Sequence, residues 1–285
     1  MSSKHPSLLA LLLVALVLAW TSNLRHEATL MAQVTPAERE AQALFDRYRT
    51  WTATVPPEQR SPAAMADLYR KHLQSQGVTD ADITRHLALI EQEGKRLEAE
   101  RWNQYFTRAT PAFNTGPNAF MVDVVKDRTP GRALDVGMGQ GRNALWLARQ
   151  GWRVTGFDPA DRAVALARAH AATLGLALDA QVKADDDFDF GVGQWDLILL
   201  SYVGCGRWHD SVERALAPGG IVVAEAFHAD AARDHRIGGS ICATGELPHL
   251  FQGLRTLRYE EPIAMPDFAT ERMRIVRYLA EKPRN

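Results

Sequence analysis

Cysteine is nearly absent from this chain: Cys205 and Cys242 are the only two in 285 residues. That excludes the dense disulfide framework of small secreted domains. No Cys/His spacing of the zinc-binding kind occurs, so no metal is expected. The two cysteines are expected to be free thiols, with pairing open to them only in an oxidising compartment. An excess of charge of one sign is lacking too. Lys and Arg number 33 and Asp and Glu 34, for a net charge of −1, and no long basic stretch occurs. Nucleic acid is therefore not the expected partner. There is no internal repeat and no extended low-complexity tract, which excludes solenoids and compositionally disordered chains. No apolar run reaches the roughly 17–25 residues of a transmembrane helix. The longest, residues 8–20, has thirteen and follows Lys4.

Thirteen apolar residues suit the h-region of a signal peptide. Val17-Leu18-Ala19 offers a cleavage site of small residues. The same run, extended to Leu24, also reads as a short anchor that associates with a membrane. Met31 offers an alternative start. Residues 1–30 are set apart on this ground.

Apolar content of 46% is enough for one large domain and an accessory segment. Residues 35–110 read as that segment, and it is helical. Leu44, Phe45, Tyr48 and Trp51 fall on one helical face. Val55-Pro-Pro-Glu58 breaks the helix. Ser61-Pro62 supplies an N-cap and a first-turn proline for the next. Thr79-x-x-Asp82 resembles a capping box with Asp in the Glu position. Ile83, Leu87, Ile90 and Leu97 then share a face of a long helix.

The chemistry begins at Arg132–Ala144. An apolar strand carries Asp135 near its end, Gly137, Gly139 and Gly141 follow at every second position, and a helix starts directly after them. Glycine admits close backbone approach and positive φ. The helix start presents unpaired N–H groups. Such a turn cradles a nucleotide-like cofactor. Gly139-x-Gly141-x-x-Ala144 satisfies the dinucleotide pattern, which keeps an NAD(P)-binding oxidoreductase open as an alternative. Gly151 ends the helix, and Arg153–Phe157 reads as a second strand finishing on Asp158. Asp158 lies 19 residues after Gly139, where Rossmann-type folds set a carboxylate against a ribose. Ala177–Val182 is a third strand candidate. Trp195–Val203 is a nearly continuous apolar run, as a strand buried on both faces requires. Pro218-Gly-Gly220 then punctuates a helix before the strand Ile221–Phe227. Leu254–Tyr259 and Met273–Ala280 complete the series. No second dinucleotide half is evident.

Taken together, these residues resemble the class I S-adenosylmethionine (SAM) methyltransferases over residues 111–285. The Gly-Gln-Gly-Arg-Asn stretch resembles the tellurite-resistance and thiopurine-type branch. The resemblance implies an α/β fold, a doubly wound, seven-stranded, mostly parallel sheet of order 3-2-1-4-5-7-6, with strand 7 antiparallel and a helical extension before it. It implies SAM as cofactor, lined by Asp135, Gly137, Gly139, Gln140, Gly141, Asn143 and Ser201, with Asp158 on the ribose. It also implies an adenine contact from Asp185, 11 residues before Asp196, or from Asp186.

The resemblance further implies that the segment before the glycine turn walls the substrate pocket. Trp102, Phe106 and Asn118 are the candidates there. Tyr202 and His228, at strand ends, are the candidates for catalysis. His228 is the first choice for a base because its ordinary pKa lies near neutrality. Nothing marks Cys205 as activated. The loop Gly238–Leu247 is expected to close the pocket's other side. The expected acceptor is a small molecule: a thiol, a chalcogen or a membrane-associated metabolite. A non-catalytic SAM-binding protein on the same fold is a further alternative. SAM is made in the cytoplasm, so a membrane-anchored chain with its catalytic domain on the cytoplasmic side is the expected placement, and export after signal cleavage the alternative.

Overall fold

The computed structural model describes residues 34–284, apart from 57–58, 61 and 236–238. The expectations for residues 8–20, the Met31 start and the Ser61 N-cap lie outside the described residues. Among the described residues no helix is long and apolar enough to cross a membrane. The chain divides into two compact units, the second running from Leu97 to Asn285.

The first unit is helical. Helix α1 (Pro36–Thr52) opens on a full capping box. Thr35 Oγ1 accepts the Glu38 N–H at 3.2 Å and Glu38 Oε2 accepts the Thr35 N–H at 2.6 Å. Helix α2 spans Pro62–Ser75 and helix α3 spans Asp80–Phe106, whose last turns from Leu97 onward belong to the second unit. At the start of α3 the Thr79 hydroxyl accepts the Asp82 N–H and donates to the Asp82 carboxylate at 2.8 Å. Asp is one methylene shorter than Glu, and here its carboxylate takes the hydroxyl rather than the backbone. Leu44, Tyr69, Leu73, Ile83 and Ile90 form the core of this unit, with Phe45, Tyr48, Trp51 and Leu87 packed on it. Leu44, Phe45, Tyr48, Trp51, Ile83, Leu87 and Ile90 lie on the faces expected from helical periodicity, whereas Leu97, expected on the same face, is exposed.

The second unit is built on a sheet. Its strands are β1 (Arg132–Val136), β2 (Arg153–Asp158), β3 (Asp179–Val182), β4 (Trp195–Ser201), β5 (Leu216–His228), β6 (Ile241–Cys242), β7 (Arg255–Glu260), β8 (Ile263–Ala264) and β9 (Met273–Glu281). The order is β3-β2-β1-β4-β5-β9-β7. Strands β1 to β5 run parallel, and β9 is antiparallel to both β5 and β7. With β7 and β9 as the sixth and seventh of the expected series, this is the order the resemblance implies. The two-residue strands β6 and β8 were not legible in the sequence; each borrows its register from a longer neighbour.

The central strands are apolar on both faces because helices cover both. Helices α4 (Ala119–Val125) and α5 (Arg142–Arg149) put Phe120, Met121, Ala144 and Leu147 against Ala133, Leu197, Leu199, Ile221 and Val223. The alternate positions Leu134, Val136, Ile198, Leu200, Val222 and Ala224 face the other way. There they meet Val212 and Ala215 of α7 (His209–Ala215) and Leu247 of α9 (Glu246–Leu250). Helix α6 (Asp161–Thr173) follows β2, and helix α8 (Ala229–His235) follows β5. Because β1 to β5 are all parallel, each of them delivers its C-terminal end to one edge.

One expectation fails. Cys205 and Cys242 are not free: they form a disulfide, with Cα atoms 5.3 Å apart across 37 residues of sequence. The pairing of β6 with β5 sets Cys242 beside His228, and the loop after β4 brings Cys205 to it. No local pattern announces a contact made through sheet topology.

Candidate active site

The turn after β1 uses its glycines as the sequence requires. Gly137, Gly139 and Gly141 all have positive φ, between 55° and 79°. A Cβ on Gly139 would lie 2.7 Å from the Phe106 ring, and one on Gly137 would lie 2.4 Å from Val203 Cγ1. Side chains therefore press directly on the turn. Asp158, at the end of β2, fastens it from beneath. Its Oδ2 accepts the Gly139 N–H at 2.9 Å and its Oδ1 accepts the Ala160 N–H at 2.8 Å.

Asp135 is only 1% exposed, and its Oδ2 has no hydrogen-bond partner. Burial pushes its pKa up to about 7; the Arg142 charge and the Ala144 N–H act the other way. A buried acceptor without a donor is costly unless a cation or donor completes it.

Beyond the turn, the strand ends hold a polar network. Arg142, first residue of α5, donates to Asp267 Oδ2 at 2.7 Å, to Ser201 Oγ at 3.2 Å and to the Gly116 carbonyl at 3.0 Å. Asn118 caps α4 through its Oδ1, which accepts the Met121 N–H. Its amide donates to Glu225 Oε1 and Asp267 Oδ2, both at 2.7 Å. Its own N–H donates to Asn143 Oδ1 at 2.8 Å. Glu225 also accepts from the Tyr202 hydroxyl at 3.0 Å and from Arg277 Nε at 2.7 Å. Buried Arg142, Asp267 and Glu225 thus meet the half-buried Arg277, each hydrogen-bonded, as buried charges must be.

Tyr202 follows β4 in the left-handed region, with φ 59°, and is the sole non-glycine among the described residues with positive φ. Such a conformation costs on the order of 1–3 kcal/mol and gathers at functional sites. Burial, with Glu225 and Asp267 beside it, drives its pKa far above the ordinary phenol value. Tyr202 is a hydrogen-bond donor and not a base.

Aromatic rings roof the turn. Phe106, Phe113, Tyr105 and Phe268 pack in contact, and Trp102 stacks on Phe106 with centroids 5.6 Å apart. The cavity between roof and turn is lined by Gly137, Gln140, Asn143, Ser201 and Phe106, all foreseen, together with Met138, Arg142, Phe113 and Phe268. Its volume is about 10 Å³, about one water.

Asp186 is 57% exposed and pairs with Arg207. The side chain of Asp185 lies outside the described residues. Phe188 stacks on Phe157 at 4.1 Å. His228 is buried at the end of β5 with both ring nitrogens engaged. Its Nδ1 accepts the Asp230 N–H at 3.0 Å, so the ring proton sits on Nε2, 2.9 Å from Thr244 Oγ1. No lone pair is left to take a proton from an acceptor, and the residue ties α8 to the loop after β6. Arg142, Asp267 and Arg277 were missed as site residues. Glu225 carried a signal: it is the one charge in an otherwise apolar strand.

Comparison with known proteins places the family signal on the turn and the strands after it. Residues 133–220 match the model of a methyltransferase domain. The ubiquinone biosynthesis O-methyltransferase of Paramagnetospirillum magneticum is 45% identical over 56 residues, 20% of this chain and 22% of that protein. Its counterpart in Methylocella silvestris is 40% identical over 72 residues, 25% of this chain and 28% of that protein. The chain thus matches under a third of the length of these relatives. Among solved structures, a SAM-dependent methyltransferase from Methanosarcina mazei superimposes with a TM-score of 0.51 at 16% identity, covering 60% of this chain and all of that one. TehB from Haemophilus influenzae superimposes with a TM-score of 0.50 at 20% identity, covering 58% of this chain and 62% of that one. Likeness at that level fixes the fold and not the branch.

Proposed function

We propose, from the premise that this chain is a class I SAM-dependent methyltransferase, that it methylates a small molecule held at the strand ends beside Tyr202 and Glu225. The single observation that carries the reading is the unpartnered, fully buried Asp135 oxygen directly beneath the glycine turn. A cofactor that brings a positive charge or an N–H donor there would complete that acceptor.

The residues present fit SAM. Asp135 and the turn of Gly137, Gly139 and Gly141 would hold its amino-acid end, with Gln140, Asn143 and Ser201 alongside. Asp158, at the end of β2 and under the turn, would take the ribose hydroxyls. When bound, SAM supplies a methyl group already made electrophilic by a sulfonium. The work left to the protein is orientation and exclusion of water. Phe106, Trp102 and Phe113 exclude water. Tyr202, neutral, spends its one proton on Glu225 and so holds the strand end in place beside the acceptor. Asn118 fixes Glu225 and so positions Tyr202. A thiol acceptor can ionise near neutral pH without a dedicated base, in keeping with a site where His228 has no free lone pair.

Calorimetry with SAM, its demethylated product and NADH tests the reading. Both SAM and product should bind, NADH should not, and Asp158→Ala should weaken SAM by about tenfold or more. Unchanged affinity in that variant sinks the ribose role, and NADH binding without SAM binding overturns the whole reading. The acceptor screen should pair thiols with hydroxylated aromatics, because the local relatives are named as O-methyltransferases.

A further inference from the structure

Asp267 is held by the side chains of three residues distant in the chain. It belongs to the connection between β8 and β9, yet its carboxylate reaches the first residue of α5, far away in sequence. Oδ2 accepts from Arg142 and Asn118, and Oδ1 accepts from Asn114 Nδ2 at 2.9 Å. Its backbone N–H donates to the Tyr202 hydroxyl at 3.3 Å, and its carbonyl accepts the Asn114 N–H at 2.7 Å. Asp267 and Arg142 are 8% and 7% exposed. Phe268, next in the chain, lies under the Arg142 guanidinium at 5.4 Å and stacks on Phe113. Arg142 and Phe268 both line the roughly one-water cavity over the glycine turn. Ligand pockets are typically about 300–1,000 Å³, so anything that binds here must move part of this roof.

We propose that Arg142, Asn118 and Asn114 form a carboxylate-binding subsite that Asp267 fills in this structure, and that a ligand carboxylate takes its place. Exchange of one carboxylate for another keeps Arg142 paired throughout, which avoids the cost of an uncompensated buried charge. Asp135, whose Oδ2 lacks a donor, is close enough to Arg142 for the two charges to interact. A cation and an anion acceptor side by side suit an α-amino acid group. The carboxylate has two candidate sources: the amino-acid end of SAM, an assignment that rests on the methyltransferase reading, or the methyl acceptor.

The test compares the unmodified chain with Asp267→Asn, which is isosteric and a weaker competitor. S-adenosylhomocysteine carries the carboxylate; 5′-methylthioadenosine lacks it. If SAM is the source, Asp267→Asn gains about tenfold for the former and nothing for the latter, the gain expected when a self-occupied state is relieved. If the acceptor is the source, S-adenosylhomocysteine is unchanged and benzoate titrated into the loaded variant gains about tenfold. Equal gains for all three ligands, or no gain for any carboxylate, overturn the subsite. Hydrogen exchange on the unmodified protein is independent of the variant's folding. The Asn114 and Asp267 amides should lose protection on adding the effective carboxylate, and unchanged protection counts against displacement. If S-adenosylhomocysteine binds neither form, the methyltransferase reading fails, and the benzoate arm still decides the subsite.

Discussion

Replacing Asp135 by Asn should remove a pH dependence of stability that the wild-type chain carries. In the folded protein the Asp135 carboxyl titrates at about 7 because burial penalises its charge; unfolded, it returns to its usual 3.8. Between those values the native state binds the extra proton. Stability from this group is therefore full below about pH 4 and is lost as pH rises through about 7. The rise from 3.8 to about 7 corresponds to about 4 kcal/mol over the whole range. About 2–3 kcal/mol of it falls between pH 5 and pH 8. Asn cannot ionise, so the difference in stability between variant and wild type should shift by that amount in the variant's favour over this interval. Urea denaturation of both proteins at pH 5, 6, 7 and 8 measures it, and the other titrating groups cancel in the difference. Parallel curves would refute the claim that burial raises the Asp135 pKa in the folded protein. The same argument predicts that binding a cation beside Asp135 lowers its pKa. SAM should then release a fraction of a proton near pH 6, measured by calorimetry in buffers of different ionisation enthalpy.

Two further outcomes follow from the packing. Asn118→Ala removes the cap of α4 and leaves Glu225 and Asp267 each short of a donor, which should cost about 2–4 kcal/mol in urea denaturation; a cost under about 0.5 kcal/mol would show that the network is not holding the strand ends. Reducing Cys205–Cys242 opens a loop of 37 residues and should cost about 3–4 kcal/mol by chain entropy, seen as a lower melting temperature with reductant and in the Cys205→Ser/Cys242→Ser double variant. A disulfide is a feature of oxidising compartments, whereas our reading sets the domain where SAM is made. Alkylation of intact cells before lysis separates the two: free thiols at both positions support the cytoplasmic placement, and protected ones overturn it.

The sheet order was legible because each parallel strand is a local apolar run with its own punctuation. Trp195–Ser201 is readable in isolation, and Pro218-Gly-Gly220 announces its neighbour. The glycine turn was legible for a related reason: positive φ at alternate positions is a backbone requirement that few residue types meet. The disulfide and the short strands β6 and β8 were not, since each exists only through a partner far away in the chain. His228 shows the limit from the other side. Residue type and a strand-end position made it a candidate base, but a lone pair is a property of hydrogen-bond partners, and both of its nitrogens found theirs nearby.

The site residues that were missed share a physical reason. A buried charge cannot be recognised from its own neighbours, because what makes its burial tolerable is a counter-charge on another element. Arg142 stands in the sequence inside the glycine motif at a helix start, and nothing local marks Asp267. Only the fold makes them a pair. Glu225 is the instructive exception. It stands alone in Ile221–Phe227, where every other residue is apolar, and a strand buried on both faces admits a carboxylate only if donors await it. That one residue therefore implied at least two partners before any were known, and Asn118, Tyr202 and Arg277 supply them. An ionisable residue that interrupts a central parallel strand near its C-terminal end is, on these grounds, a stronger pointer to a polar site than a histidine at a strand end.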